Sequence, residues 1–333
     1  MIRGVNLGGW LVLEPWITPA LFEGTKAKDE LSLCRELGDQ AEEILRLHRD
    51  HFITEADFRW LARCGINTVR LPIGYWVFGD EAPYVGSIVH VDRAFEWAER
   101  NGLKILLDLH GAPGSQNGHD HSGMVGDITW YTPENQAKSL KVIERLSKRY
   151  RGRDALAGIE LVNEPSWRNG RRTLQEYYEK GYDIVRKSCG TDVAVVVSDA
   201  FFPRRWSRVM QGDKYQNKQL DIHLYQLFGK RDQRRSLSGH MAIVNGKWHR
   251  LLARVSRRWP VIIGEWSAAL PPKIYDGYSA EAKDAAIRAY ASAQLAVFER
   301  HAAGWFYWTY RTQDGGAWSF RTCVENRWLP DHF

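Results

Sequence analysis

Two stretches of the chain place a carboxylate directly behind a short apolar run. In GIELVNEP, Gly158 to Pro165, the run ends in Asn163, Glu164 and Pro165. In PVIIGEW, Pro260 to Trp266, a second run ends in Glu265. Ile159, Leu161 and Val162 suit a buried strand, and Pro165 cannot extend a ladder. Each Glu is therefore expected at the carboxyl end of a strand, where parallel α/β barrels do their chemistry. The plainer alternative is that each merely caps a helix start. Two carboxyls facing one cleft are the equipment for breaking a glycosidic bond. At about 5 Å apart, one serves as nucleophile and the other as acid, then base. Their surroundings must push the two pKa values apart.

Other side chains have types and positions that would assist. Asn163 beside Glu164 is expected to hold a sugar hydroxyl, the 2-OH. Arg70, in INTVRLPIGYW, is placed to pair with the nucleophile and keep it ionised, and Tyr225, in LDIHLYQLF, to donate a hydrogen bond to the same oxygen. His110 and His223 fall at strand ends, which favours a functional role over that of interior histidines with satisfied hydrogen bonds. Glu14 lies with Trp10 and Trp16 just after a first strand, the equipment of a sugar pocket. The chain holds 15 Trp; Trp10, Trp16, Trp76, Trp130, Trp167, Trp266 and Trp308 all follow or end strands, where indoles can stack on pyranose rings and where some will simply pack. His110, His119 and His121 match no strong metal motif, so neither metal nor cofactor is expected.

These residues require a scaffold that brings many strand ends to one face. RGVNLGGWLVLEPW begins with a short strand and breaks at Gly8 and Gly9. Residues 36–64 carry helical patterning, with Thr54 as N-cap and Asp57 in the capping-box position. Further strands are expected over Ile66–Trp76, from Leu103 to His110, from Gly158 to an end at Glu164, over Asp192–Ala200 and Leu220–Phe228, in PVIIGEW with its end at Glu265, and in GWFYWTYR. Helices are expected over Val91–Gly102, Gln136–Arg151, Thr173–Cys189, Trp248–Arg258 and Glu281–His301. About eight strands, most followed by a helix, predict a single (β/α)8 TIM barrel, with residues 1–333 forming one catalytic domain. No linker, low-complexity tract or repeat interrupts it.

Composition narrows the class. At 44% hydrophobic residues the chain is an ordinary globular one with a full core. No apolar run approaches the roughly 20 residues that span a bilayer. No charged-then-apolar leader follows Met1, so the sequence as it stands reads as cytoplasmic, or as secreted or periplasmic if a leader has been removed. Cys34, Cys64, Cys189 and Cys323 are scattered without metal or redox spacing and are expected as free thiols. A net charge of +6 is modest for this length and does not point to nucleic acid. A monomer is expected.

Several of these stretches together resemble glycoside hydrolase family 5. RGVNLGGWLVLEPW, HGAPGSQNG, VNEP, HLYQLF and GEWSAAL occur in the order of that family, from first strand to last, and are most similar to its exo-β-1,3-glucanase branch. The resemblance implies Glu164 as acid/base and Glu265 as nucleophile, with retention of configuration. It marks Arg70, His110, Asn163, His223, Tyr225 and Trp308 as the surrounding shell. It also matches Glu14 to the carboxylate that holds the non-reducing-end glucose in a closed pocket. Where those exo-glucanases typically read FDNSG, this chain reads HDHSG, His119 to Gly123. His119 replaces a Phe that, with the Phe matching Phe228, clamps the leaving-group sugar, and His121 replaces an Asn that contacts sugar. The inner glucose site is thus expected to be retained and the leaving-group site rebuilt.

The expected substrate is a β-linked oligosaccharide or glycoside. RNGRR, Arg168 to Arg172, and KRDQRR, Lys230 to Arg235, follow the fourth and sixth strands and predict a cationic rim suited to an anionic aglycone or surface. Within the same fold stand a rutinosidase-like diglycosidase and a transglycosylase; outside enzymes stands a non-catalytic carbohydrate-binding barrel.

Overall fold

A computed structural model describes residues 1–167 and 170–333. Eight parallel strands close into a barrel in sequence order: β1 (Ile2–Asn6), β2 (Thr68–Gly74), β3 (Lys104–Gly111), β4 (Leu156–Glu160), β5 (Ala194–Ser198), β6 (Lys218–His223), β7 (Val261–Trp266) and β8 (Gly304–Tyr307). Helices cover the outside, so most strand residues are enclosed on both faces. That is why β2 and β5 read as near-continuous apolar runs rather than alternating ones. This is the (β/α)8 barrel expected from the strand count.

The first helices are α1 (Glu30–Leu37), α2 (Ala41–Phe52) and α3 (Glu55–Arg63), into which the helical stretch 36–64 resolves. Thr54 and Asp57 do form the capping box at the start of α3. α4 (Ile88–Arg100), α5 (Pro133–Tyr150) and α6 (Arg171–Cys189) follow β2, β3 and β4, and the short α7 (Pro203–Trp206) follows β5. After β6 the helix begins earlier than expected: α8 (Leu237–Ala242) runs through a π-helical turn, Ile243–Trp248, into α9 (His249–Val255). Asn245 and Gly246 are weak helix formers, and they lie in this wider turn. α10 (Ala280–His301) precedes β8, and α11 (Phe320–Glu325) follows it.

Register sets up the catalytic face. Asn6 pairs with Arg70, Asp108 with Glu160, and His223 with Glu265 on neighbouring strands. Below them the barrel interior is filled by Leu106, Ala194, Val196, Ile262 and Phe306. Glycine makes room for the largest of these: a Cβ on Gly4 would lie 2.2 Å from the Phe306 ring. β4 ends at Glu160, so Glu164 is not its last residue but sits in the exit turn with φ of 42°. A non-glycine residue there is strained by about 1–3 kcal/mol, a strain common at functional sites.

Candidate active site

A cavity of about 780 Å³ opens at the carboxyl ends of the strands. Among the expected residues, Glu14, Trp16, His110, His119, His121, Glu164, His223, Tyr225, Phe228, Glu265 and Trp308 all line it. A carboxylate oxygen of Glu164 and one of Glu265 lie within 4.8 Å of each other.

Arg70 pairs with Glu265 as expected, and both it and Asn163, expected to hold a sugar hydroxyl, are fully buried behind the cavity lining. The Arg70 guanidinium is the hub of that second layer. Its Nη1 donates to Glu265 Oε1 at 3.2 Å and to Asn6 Oδ1 at 2.9 Å; its Nε donates to Glu160 Oε2 at 2.8 Å. Nη2 donates to Asn163 Oδ1 at 2.8 Å and lies 3.0 Å from Asp108 Oδ2. Asn163 has thus given its amide oxygen to Arg70, and its nitrogen lies 3.5 Å from His110 Nε2. Burial opposes the Arg70 charge, but Asp108, Glu160, Asp221 and Glu265 around it more than compensate, raising its pKa well above the ordinary value.

The two carboxyls are separated electrostatically by His223. Its Nδ1 lies 2.6 Å from Glu164 Oε1 and 3.4 Å from Glu265 Oε2, and its Nε2 donates to Asp221 Oδ2 at 3.2 Å. Burial disfavours the imidazolium, yet Glu265, Asp221 and Glu164 together raise His223 well above its usual pKa. For Glu164, burial pushes the pKa up, but the hydrogen bond and charge of His223 outweigh it and bring the group to about 2. Glu164 and His223 therefore share one proton, which rests on the imidazole. Glu265 is raised, first by burial and then by Glu164, against His223 and Arg70. Tyr225 donates its hydroxyl to Glu265 Oε2 at 2.9 Å; it was expected on the oxygen that Arg70 pairs with, but Arg70 takes Oε1, so each donor holds one oxygen. Arg70 and His223 already supply the positive charge that this cluster of carboxylates needs.

His110 donates Nδ1–H to Asp108 Oδ2 at 2.6 Å, and its ring stacks on Trp308 at 5.3 Å. Glu14 is buried; Trp16 Nε1 donates to its Oε2 at 2.8 Å, and Oε1 has no protein partner. Desolvation, with Asp120 next, raises Glu14 well above its usual pKa. The neighbouring Leu13 N–H donates to Glu30 Oε2 at 2.9 Å, and Glu30 is itself paired with buried Arg49 at 3.0 Å, which fixes the loop that carries Glu14.

Some residues escaped the sequence reading. Asp120, Phe201 and Trp318 line the cavity. Asp120 was legible inside HDHSG; Trp318 had no local signal. Phe201 is 56% exposed at the end of a turn in which Ala200 and Phe201 both have positive φ, held by Asp199 Oδ1 accepting from Phe201 N–H at 2.8 Å. Asn6, Asp108, Glu160 and Asp221 in the second layer did carry a signal: each is a buried polar residue in a strand, directly after a buried apolar one.

Other expectations are corrected. Trp10, Trp76, Trp130 and Trp266 are fully buried core residues, while Trp167 is exposed and packs edge-on against Phe202. Among the described residues no Lys or Arg lines the cavity itself. Of the basic stretches expected at its rim, Arg172 pairs with Glu176 and Arg235 with Asp232; Arg171, Lys230, Arg231 and Arg234 are exposed, and Arg168 lies outside the described residues. All four cysteines are free thiols. No helix among the described residues is long and apolar enough to cross a membrane.

This geometry has known relatives. The model of the cellulase family, glycosyl hydrolase family 5, matches residues 41–314. The chain belongs to glycosyl hydrolase family 5. It is therefore a glycoside hydrolase of a retaining family. A glucan 1,3-beta-glucosidase of Blumeria graminis is 37% identical over 374 residues, covering 99% of this chain and 86% of the relative. A probable glucan 1,3-beta-glucosidase A of Aspergillus niger is 37% identical, with 99% and 87% covered. Among solved structures, a rutinosidase from Aspergillus niger superposes with a TM-score of 0.82 at 22% identity, covering 98% of this chain and 97% of that one. That likeness is one of fold.

Proposed function

We propose that this family 5 chain is an exo-acting β-glucosidase that cleaves β-glucosidic bonds by double displacement, with Glu265 as nucleophile and Glu164 as acid/base, and that residues 1–333 act as one catalytic unit. The observation that carries the reading is the approach of the Glu164 and Glu265 carboxylates to within 4.8 Å across a cavity bounded by buried Glu14. That spacing suits direct attack by a carboxylate and leaves no room for a water between carboxyl and sugar, as inversion would need. Glu14 Oε1, an acceptor without a protein partner, suits a hydroxyl of the terminal sugar.

In the first step a Glu265 oxygen bonds to the anomeric carbon while the bond from that carbon to the leaving oxygen breaks. Arg70 and Tyr225 hold the attacking carboxylate. The leaving oxygen takes its proton through Glu164, to which the shared proton moves from His223 Nδ1 beside it. Once Glu265 is esterified its charge is gone, and His223 loses the largest of the charges that hold its proton. The Glu164–His223 pair, having given up its proton, is then not refilled from solvent and stays free to take one from water as that water attacks the anomeric carbon and the bond to Glu265 breaks. Acid has become base.

The test is a digest of β-1,2-, β-1,3-, β-1,4- and β-1,6-linked glucose disaccharides and a rutinoside, with the first-formed anomer read by NMR. β-Glucose released from a disaccharide is expected. An intact disaccharide from the rutinoside alone would replace this reading with a diglycosidase, and α-glucose formed first would overturn the double displacement.

A further inference from the structure

His223 accounts for one oxygen of Glu164. The other, Oε2, lies 3.5 Å from His121 Nε2, and His121 stands in the loop after β3, on a different element from His223. Among the described residues this is the one polar contact made by the His121 side chain; its Nδ1 is buried without a partner. The ring is fixed by its neighbours: His119 stacks on it at 5.6 Å with an 11° interplanar angle, and His110 meets it edge-on at 5.4 Å.

We propose that His121 is a positioning residue for the acid/base carboxyl, donating Nε2–H to Glu164 Oε2 so that Glu164 is held between two histidines and surrenders its proton more readily. The inference rests on the assignment of Glu164 as acid/base. The tautomer follows from burial. If Nδ1 carried the hydrogen it would be a buried N–H with no acceptor, which is rarer in proteins than a buried acceptor with no donor. The hydrogen therefore belongs on Nε2, facing Glu164. The 3.5 Å separation is long for a hydrogen bond, as catalytic contacts often are before substrate closes the site.

The ring stays neutral throughout. The titratable groups facing it are Glu164 from the turn after β4, His110 at the end of β3, His119 in its own loop, and His223 at the end of β6. Burial is the largest influence and Glu164 opposes it, while the three histidines reinforce it, lowering His121 to about 3. A neutral donor stabilises the carboxylate form of Glu164 without taking its proton. A hydrogen bond to the charged form lowers a carboxyl's pKa, so removing His121 must make the Glu164–His223 pair hold its proton more tightly.

The experiment compares kcat/KM for 2,4-dinitrophenyl β-glucoside, whose leaving group departs without a proton, with that for phenyl β-glucoside, whose leaving group needs one. His121→Ala, His121→Gln and Glu164→Ala are each measured across pH, with folding checked by thermal melting. His121→Ala is expected to lose about tenfold on the phenyl glucoside, a fraction of what a whole general acid contributes, and little on the dinitrophenyl one. Its alkaline limb should move to higher pH. His121→Gln, whose side-chain N–H can replace the imidazole donor, should restore both properties. Equal loss on the two substrates with an unmoved limb, or a Gln variant that behaves like Ala, overturns the role of His121. Glu164→Ala should show the same split in larger measure. If it instead loses equally on both substrates, the acid/base assignment fails and takes this inference with it.

Discussion

The barrel interior has two ends built by the same strands. At the amino-terminal end Leu106, Ala194, Val196, Ile262 and Phe306 meet in a small apolar cluster. Further along the barrel strands the inward positions turn polar: Leu106 gives way to Asp108 on β3, Gly158 to Glu160 on β4, and Gly4 to Asn6 on β1. The apolar end is held by burial, which is non-directional and tolerates exchange of one hydrophobic shape for another. The polar end is held by charge pairs whose desolvation consumes much of what their attraction gains. Arg70 touches groups from β1, β3, β4 and β7 and the turn after β4, so the catalytic end depends on one cation in a way the lower end depends on no single residue. One end stabilises the fold. The other spends stability to hold carboxylates in fixed positions.

That contrast can be broken residue by residue. The largest effect is expected from Glu265→Ala, which should lower kcat/KM by more than about 10⁴-fold, as loss of a nucleophile does elsewhere, while the melting temperature stays level or rises because a buried like-charge contact with Glu164 is gone. A variant that melts far below the parent would mean that Glu265 is a structural anion. Next, Arg70→Met should destabilise the protein by about 3–5 kcal/mol in urea titrations, because it strands several buried carboxylates without a countercharge.

Leu106→Ala tests the other end. It should cost about 2–5 kcal/mol through the cavity it leaves, yet the activity per folded molecule should be unchanged. Loss of kcat/KM at full folding would show that the two ends are coupled.

An effect confined to higher pH concerns Asp199, just beyond β5, whose pKa burial pushes up to about 7 despite the hydrogen bond from Phe201 N–H. A carboxyl raised in the folded state binds more protons folded than unfolded between its ordinary value near 3.8 and about 7. Stability is therefore fully present below that window and falls as pH rises through it. Asp199→Asn should flatten this slope and stabilise the protein above pH 7 by up to about 4 kcal/mol, at 1.36 kcal/mol per pKa unit. Denaturant titrations at several pH values measure it; an unchanged slope would mean that Asp199 is solvated.

The lining of the site was easier to read than its support. Glu164, Glu265, His110, His223, Tyr225 and Trp308 follow or end apolar runs, and a barrel sends every such position to one rim. Asp108, Glu160 and Asp221 stood in plain view within ILLDLH, GIELV and LDIH, but sequence does not say which countercharge each will meet. Phe201, just past the expected strand Asp192–Ala200, was passed over because nothing local shows that a turn with two positive φ angles delivers it to the cavity, and Trp318 because a chain returning after β8 delivers it.

Local patterning determined what depends on nearest neighbours: the succession of strands and helices, the Thr54 capping box, and the carboxylates placed where strands run out. Order along the chain was enough for these, because alternation of apolar run and helix leaves a closed parallel barrel as the economical way to bury both faces of every strand. Only closure of the barrel decided the rest. It brought Arg70 to Glu265 across 195 residues of sequence and Glu164 to His223 across 59. It drew Arg70 and Asn163 behind the cavity wall and left the basic loops out of the lining. Burial and charge pairing are properties of separation in space, and separation in space exists only once the strands have closed.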